Sequence, residues 1–385
     1  MTAWLAAARA VGVDIAARHA GDVDARARFP REAFDVLKDR KLLGILVPKS
    51  AGGPGVAIGD VVAICQILGQ SCGSTAMIYA MHQIQVACIT RHAGDSAWQR
   101  NFMRQLVDEQ LLLASATSEA GAGGDVRSSV CAVAKKDGRF SLTKQATVIS
   151  YGDEADGILV TARRTPQAPA SDQVIVVVPK AGYTLSRQEG WDTLGMRGTC
   201  SNGYRLDAAG DMAQVITTPF ADVSAQTMLP TAHLVWSALW LGIATDALHR
   251  ARAFIRAETR KKPGAPVGGA RLAEATGLLQ ALKSSVWASL RAYEAIIDSP
   301  DQLSALSFAV HMNALKTNAS RMAVQVVEQA LLVCGLAGYR NDSIYSVGRH
   351  LRDAYSAALM VNNDRILANM SHLLPALRDE PELLP

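Results

Sequence analysis

The chain is organised around one stretch, Thr117-Ser118-Glu119-Ala120-Gly121-Ala122-Gly123-Gly124-Asp125. It follows an apolar run, Leu111 to Ala116, and consists largely of hydroxyl and small side chains. Glycine and alanine let a backbone approach a flat ligand closely, while hydroxyls and free N–H groups can hydrogen-bond its polar edge. The stretch therefore predicts a site for a planar cofactor, although a glycine-rich turn after a strand is commonly only a turn.

Composition places the chain among globular proteins of more than one domain. It has 385 residues, of which 49% are hydrophobic but only 5% aromatic. Alanine, leucine and valine must then build the core, which favours helices. The charge of +4 arises from 39 basic and 35 acidic residues, a balance that does not suggest nucleic-acid binding.

Cysteine usage and hydropathy predict a cytoplasmic protein without a structural metal. No C-x-x-C pair and no histidine at metal spacing accompany the six cysteines, which are Cys65, Cys72, Cys88, Cys131, Cys200 and Cys334. They are interpreted as small core residues in a reducing compartment. We find no signal-peptide pattern and no long apolar span, so no membrane is expected.

Periodicity divides the chain into three regions. Residues 1–112 and 226–385 repeat with helical spacing, whereas residues 113–225 contain short alternating or β-branched runs such as Val174 to Val178. Long amphipathic helices in the last region are expected to bundle antiparallel. The prediction is a mostly α protein with a central β domain.

Five segments follow one another in an order that resembles the acyl-CoA dehydrogenase family of flavoproteins. They are a helix carrying His82, then Gly94 to Trp98, Ser118 to Asp125, Val148 to Tyr151, and Gly195 to Thr199. Leu332 to Tyr339 and His350 to Ala354 resemble two later family motifs. The resemblance implies an N-terminal helical domain, a middle β-barrel and a C-terminal four-helix bundle. It also implies FAD as cofactor and assembly as a homodimer or homotetramer.

Individual positions are assigned by this resemblance. The implied cofactor contacts are Thr117, Ser118, Gly123, Ser150, Arg260, Gly335, Asn362 and Asn363. The implied substrate contacts are Gly124, His82 and Met360. A histidine on an apolar helix is also compatible with a plain core residue. Arg260, or Arg256 in another register, would meet cofactor pyrophosphate across a subunit boundary, with Arg197 as a further cation; a solvated helix end explains Arg260 equally well.

Several positions depart from the family pattern. Val148 replaces a tryptophan that covers the ring, and Ala120 replaces a proline. Leu332 stands where a glutamine would bind cofactor, and Leu336 where a second glycine would lie. The changes at Leu332 and Leu336 affect contacts to the adenosine half of the cofactor.

The expected catalytic base is missing. Oxidation of an acyl thioester requires a group that removes the α-proton, usually a carboxylate. In most of the family this glutamate lies nine residues beyond the arginine matched by Arg352, a position that Val361 occupies here. His233 is the titratable candidate near the alternative site on the first helix of the last region. Asp364 is the nearest carboxylate, but a surface role suits it better.

Three functions follow from these observations. The first is an acyl-CoA dehydrogenase-like oxidation of the α,β C–C bond of an acyl thioester of coenzyme A or an acyl carrier protein, with an electron-accepting flavoprotein. The second is a monooxygenase on the same fold that receives reduced flavin, FMN in this case, from a reductase. The third is a non-catalytic protein that binds an acyl group or a flavin. The missing glutamate alone does not separate them.

Overall fold

Helices enclose a central pair of β-sheets. The computed structural model describes residues 2–121, 126–261 and 267–377, and its strands all lie between Leu113 and Ile216. Helices precede and follow them. The prediction of a mostly helical protein with a β domain in the middle is therefore confirmed.

The N-terminal helices are α1 (Ala3–Ala10), α2 (Ala17–Arg26), α3 (Arg31–Asp39), α4 (Ile58–Gly69), α5 (Gly73–His92) and α6 (Ala97–Glu109). Side-chain caps begin two of them, since Thr2 accepts from Leu5 N and Ser96 accepts from Gln99 N. Helix α5 is buried along most of its length. It is therefore the central helix of this layer.

Two four-stranded sheets make the middle region. Their strands are β1 (Leu113–Ala116), β2 (Ala134–Lys136), β3 (Arg139–Ile149), β4 (Gly157–Arg163), β5 (Gln173–Pro179), β6 (Tyr183–Glu189), β7 (Asn202–Asp211) and β8 (Val215–Ile216). The strand orders are β1-β4-β5-β8 and β2-β3-β7-β6, and only the β1–β4 pair among them is parallel.

Burial explains the sequence patterns of the two sheets. Strands β4 and β5 are covered on both faces and are largely apolar, whereas β3 alternates buried and exposed residues along most of its length. An isolated bridge between Ala132 and Arg163 joins the sheets. The β domain thus consists of two sheets that this bridge joins.

The C-terminal helices form a bundle. They are α7 (Phe220–Val223), α8 (Leu229–Lys261), α9 (Gly269–Ile296), α10 (Pro300–Leu303), α11 (Leu306–Cys334), α12 (Leu336–Tyr339), α13 (Gly348–Leu359) and α14 (Asn363–Leu373). Helix α8 packs against α9, α11 and α13 and also against α4 of the N-terminal region. A Cβ on Gly242 would lie 2.3 Å from the Gln66 carbonyl oxygen, so glycine is needed where α8 crosses α4.

The segment Phe220–Lys261 is long and apolar enough to cross a membrane by length and composition alone. This corrects the expectation that the sequence holds no such segment. However, 89% of its most apolar window is buried against other elements. Its hydrophobicity is accounted for by its central place in the bundle.

Candidate functional site

The strand end after β1 lies beside the strand end of β3. Ser118 Oγ donates to the Val148 carbonyl oxygen at 3.0 Å and accepts from Val148 N at 3.3 Å. These two hydrogen bonds join the segment after β1 to the end of β3. Thr117 and Ser150 lie next to them, one on each segment, and therefore in the same part of the β domain. The hydroxyl proton of Ser118 is committed to Val148. A ligand could therefore use only the remaining lone pair or the backbone at this residue.

A buried ion pair between Glu119 and Lys144 holds the segment that follows β1 in place. The Glu119 carboxylate accepts four hydrogen bonds, from Ser129 Oγ (2.7 Å), Val130 N (3.1 Å), Cys131 N (2.7 Å) and Lys144 Nζ (3.3 Å). Burial alone would raise the pKa of Glu119, but the Ser129 hydroxyl and the Lys144 charge hold it below its usual value. Lys144 is fully buried on β3. The pair fixes the backbone that carries Thr117 and Ser118.

Ser150 begins a short row of hydroxyl groups. Its Oγ lies 2.8 Å from Ser201 Oγ, which lies 2.8 Å from Thr199 Oγ1. Thr199 Oγ1 donates in turn to the Met196 carbonyl oxygen at 2.9 Å. Tyr151, in a left-handed conformation with φ 43°, donates its N–H to the Thr199 carbonyl oxygen at 2.8 Å. The Val148–Tyr151 and Gly195–Thr199 motifs are therefore in direct contact.

Helix α13 holds the loop that contains Met196. Met196 N donates to Asp353 Oδ1 at 2.7 Å, and the Asp353 side chain is buried. Burial raises the pKa of Asp353 to about 6. Gly195 packs so closely on this helix that a Cβ there would lie 2.2 Å from the Arg352 carbonyl oxygen. The arginine of the later motif is itself paired with Asp24.

Lys316 on α11 holds the loop between α13 and α14. Its Nζ donates to the Val361 carbonyl oxygen and to Asn363 Oδ1, each at 2.7 Å. Asn363 Nδ2 also donates to Ser320 Oγ at 3.0 Å, and Asn362 accepts from the first N–H groups of α14. Both asparagines therefore bind their own chain. The structure gives no support to their assignment as cofactor contacts, although the partly buried Met360 beside them stays a prediction as a substrate contact.

We expect the unfolding free energy to depend on pH through Lys316. Burial lowers the pKa of Lys316 to about 7, whereas an unfolded lysine titrates near 10.4. Between these values the unfolded chain binds more protons, so stability rises with pH by on the order of 1 kcal/mol per unit. The measurement is urea unfolding from pH 6 to pH 10 for the wild type and Lys316→Met.

The difference between the two proteins isolates this lysine, because other groups titrate in both. It should grow in favour of the wild type above pH 7. The exposed Lys283 on α9 supplies the control variant Lys283→Met, which should follow the wild type at every pH. If the difference in unfolding free energy between the wild type and Lys316→Met did not change with pH, the pKa of Lys316 would not be lowered in the folded protein.

His82 lies in the core of the N-terminal helical region. It is fully buried, its Nε2 donates to the Leu43 carbonyl oxygen at 2.9 Å, and its Nδ1 accepts from Leu113 N at 3.0 Å. Burial lowers its pKa to about 4, so the ring is neutral. Both ring nitrogens are engaged within the chain, so the structure does not support its assignment as a substrate contact, which stays a prediction.

His233 lies inside the bundle. Its Nδ1 donates to the Met312 carbonyl oxygen at 3.0 Å, which leaves Nε2 as the unprotonated nitrogen. Burial lowers the pKa of His233 to about 3. A ring with so little affinity for protons is a poor acceptor of an α-proton. The geometry therefore does not support His233 as the catalytic base.

Arg260 and Gly335 lie at the far end of the bundle. Arg260 is 17 residues beyond Ile243, which packs near Gly73 and Asp353, so it lies roughly 25 Å further along α8. Its expected pyrophosphate contact thus requires a second subunit and stays a prediction. Gly335 N donates to the Leu331 carbonyl oxygen and is not free for a ligand.

Arg197, the further cation, is bound within its own chain. Its guanidinium donates to Asp192 Oδ1 at 2.8 Å, to the Thr193 carbonyl oxygen at 2.7 Å and to the Asp24 carbonyl oxygen at 2.9 Å. It therefore holds the loop at Gly195–Thr199 and is not placed to counter a phosphate.

The remaining residues fit the polar edge of a flat heteroaromatic ring. Thr117 is half-buried and donates to no other described residue, and Ser150 is half-buried at the end of its hydroxyl row. Val148 beside them is 38% exposed and offers an apolar contact. Gly123 and Gly124 lie outside the described residues. The residues present thus fit a flavin ring at Thr117 and Ser150.

Four residues that hold the site together were assigned no role from the sequence: Lys144 and Lys316 lie outside the motifs, and Glu119 and Asp353 lie within them. Glu119, Lys144, Lys316 and Asp353 are all buried and charged or polar. One signal was available, since Lys144 occupies an inward position of the alternating strand between Leu142 and Ala146. A lysine at such a position needs a buried partner.

Two family models match the chain. They describe the acyl-CoA dehydrogenase N-terminal domain, over residues 2–110, and the acyl-CoA dehydrogenase C-terminal domain, over residues 223–368. Together they cover both helical regions and leave the β domain between them unmatched.

Relatives of two kinds are similar to the chain. Cyclohex-1-ene-1-carbonyl-CoA dehydrogenase from Geobacter metallireducens is 27% identical over 355 residues, or 90% of each protein. Amino sugar nitrososynthase DnmZ from Streptomyces peucetius is 28% identical over 354 residues, 88% of this chain and 84% of that protein. The crystal structure of FMN-bound TdsC, a dibenzothiophene monooxygenase from Paenibacillus sp. A11-2, has a TM-score of 0.85 at 20% identity and covers 100% of both chains. That last likeness concerns the fold alone.

Proposed function

The chain belongs to the acyl-CoA dehydrogenase family and is a flavin-dependent oxidoreductase, and we propose that within this class it acts as a monooxygenase supplied with reduced flavin by a separate reductase. When bound, the reduced flavin supplies two electrons to O₂, one atom of which enters the substrate while the other leaves as water. The protein's part is to hold the ring and exclude bulk water.

The loop between α13 and α14 carries the proposal. Val361 stands where the family resemblance has the proton-abstracting glutamate, and its apolar side chain is 48% exposed. The Val361 carbonyl oxygen accepts a hydrogen bond from Lys316 Nζ, which fixes the backbone of the loop at this position. The side chain held there cannot accept a proton. Asp364 is exposed at the start of α14, where a carboxylate favours the helix N-terminus. A monooxygenase requires no α-proton acceptor.

Thr117 and Ser150 are the residues proposed to orient the ring. Both hydroxyls lie at strand ends that other residues hold in place. The Glu119–Lys144 ion pair holds the backbone next to Thr117, and Ser201 hydrogen-bonds to Ser150. Groups held in this way bind without first losing side-chain freedom. Val148 is proposed to pack against the ring face, since it takes the place of the family's tryptophan.

We propose FMN in place of the expected FAD. Leu332 and Leu336 are 55% and 72% exposed at the positions where the resemblance has adenosine contacts. Their side chains cannot hydrogen-bond, and Gly335 N is already bonded to Leu331. FMN lacks the adenosine half and needs none of these contacts.

We propose that the chain assembles as a homodimer or homotetramer through an exposed apolar surface at one end of the bundle. Leu336, Tyr339 and Ile344 are more than 70% exposed near the end of the bundle that carries Arg260. Such clustered apolar side chains are typical of a protein–protein contact. The cytoplasmic location stays a prediction.

The second candidate is oxidation of the α,β C–C bond of an acyl thioester, with FAD and an electron-accepting flavoprotein. Similarity to cyclohex-1-ene-1-carbonyl-CoA dehydrogenase over 90% of each protein favours it. It requires a base, and the residue at the family's position for that base, Val361, cannot accept a proton.

Spectra of the purified protein distinguish these functions. We expect FMN to bind weakly and its reduction to depend on NADH and an added flavin reductase. Anaerobic butyryl-, isovaleryl- and octanoyl-CoA should leave the flavin band unchanged. Bleaching of tightly bound FAD by one of these thioesters would establish the dehydrogenase instead, and a protein that takes up neither flavin would be non-catalytic.

A further inference from the structure

Three hydroxyl groups in a row connect the proposed flavin site to a backbone carbonyl. The row runs from the half-buried Ser150 through the buried Ser201 and Thr199 to the Met196 oxygen, with separations of 2.8, 2.8 and 2.9 Å. The Met196 oxygen also accepts from Trp191 Nε1 at 3.1 Å and from Thr199 N at 3.1 Å. It is therefore a fixed acceptor at the inner end of the row.

The number of protons determines the direction of the row. Each hydroxyl has one proton to donate, and a carbonyl oxygen has none. The bond to Met196 therefore uses the proton of Thr199, the bond to Thr199 uses the proton of Ser201, and the bond to Ser201 uses the proton of Ser150. Only this arrangement forms all three bonds. The reverse arrangement loses one bond inside a buried region.

We infer that Ser150 presents a lone pair, and not a proton, to the ring, so that it selectively stabilises the reduced flavin. This inference rests on the flavin site proposed above. Reduction adds two electrons and one proton to the ring, so the reduced ring carries an N–H where the oxidised ring has only a lone pair. An outward lone pair on Ser150 can accept from such an N–H but cannot bond to a ring nitrogen that has only a lone pair.

Ser201 and Thr199 are then positioning residues that act through Ser150. Without the Thr199 hydroxyl, Ser201 is free to donate to Ser150, which turns the Ser150 proton outward. Without the Ser201 hydroxyl, Ser150 loses its internal acceptor and turns its proton outward directly. In both cases the ring would meet a donor, which favours the oxidised form. A buried residue that serves packing alone gives no such reversal.

The test is the midpoint potential of bound FMN together with its dissociation constants in the oxidised and reduced states. Ser150→Ala removes one hydrogen bond to the reduced ring, so its preference for reduced FMN should fall about fivefold. Thr199→Val and Ser201→Ala also add a bond to the oxidised ring, so the preference should fall about 25-fold. For a two-electron couple these changes correspond to about 20 and 40 mV.

Controls separate this effect from a general disturbance. Thr199→Ser keeps the hydroxyl and should retain the wild-type potential. Thr193→Val removes a hydroxyl from the same loop that bonds only to the Gly195 carbonyl oxygen, and should leave the potential unchanged. Two independent variants, Thr199→Val and Ser201→Ala, test the reversal in case one of them fails to fold.

Each outcome decides the inference. A potential in Thr199→Val or Ser201→Ala equal to or above that of Ser150→Ala would overturn it, because the row would then not set the direction of the Ser150 proton. That result would leave the proposed flavin site intact. Failure of the wild type to bind FMN in either state would overturn both, since the ring itself would be missing.

Discussion

Glu119→Ala is expected to lower the free energy of unfolding by about 3–5 kcal/mol, the largest effect of any substitution considered. The change leaves the Lys144 ammonium without its counter-charge in a region where it is fully buried. It also removes the acceptor of two backbone N–H groups, at Val130 and Cys131. Removing one partner leaves the other charge buried and unpaired, and this destabilises the fold by more than the intact pair stabilises it. The measurement is urea unfolding at pH 7, followed by helix circular dichroism.

A second substitution distinguishes loss of the pair from loss of packing. Lys144→Met in the Glu119→Ala background removes the unpaired charge, so the double variant should be more stable than Glu119→Ala alone. The exposed Glu109→Ala serves as the matched control and should stay within about 0.5 kcal/mol of the wild type. A double variant no more stable than the single one would show that Lys144 was not the source of the cost.

Acid should weaken the same interaction. The pKa of Glu119 is held below its usual value in the folded protein. The stabilisation is thus fully present above the unfolded pKa and is lost as the pH falls through the folded one. This direction distinguishes Glu119 from Lys316, whose contribution changes between pH 7 and 10.

The fold class, helical at both ends with a β domain in the middle, was accessible from sequence because it depends on local patterns. Helical spacing, β-branched runs such as Val174 to Val178, and the glycine loop at Gly195 are each visible within a few residues. The order of motifs did not predict the contact between Val148–Tyr151 and Gly195–Thr199, which the structure shows.

Pairings across the chain could not be obtained in the same way. Periodicity placed His82 on a buried helix face but could not tell whether its ring meets a ligand or the backbone of Leu43 and Leu113. Asn363 was assigned by its position in a motif, whereas its side chain is used by Lys316, 47 residues away. Such distant polar pairs depend on the packed structure and leave no periodic signal.

Gly195→Ala is the second substitution with a large expected effect. Its Cβ would lie 2.2 Å from the Arg352 carbonyl oxygen and 2.7 Å from Asp353 N, both of them backbone atoms of α13 that cannot turn aside. The loop must then move away from the helix, which we expect to cost roughly 3 kcal/mol. The movement also breaks the bond between Met196 N and Asp353, and with it the row that ends at Ser150.

The affinity for flavin should therefore fall together with the free energy of unfolding. Loss of one charge-assisted hydrogen bond of roughly 1.5 kcal/mol from the support of Ser150 corresponds to a flavin affinity at least about tenfold lower. Gly190→Ala is the matched control, because a Cβ at Gly190 meets nothing within 4 Å. Thermal unfolding and titration with reduced FMN measure the two effects. If Gly195→Ala bound FMN as tightly as Gly190→Ala, the docking of this loop on α13 would have no part in shaping the site, and the chain of contacts from Asp353 to Ser150 would be only structural.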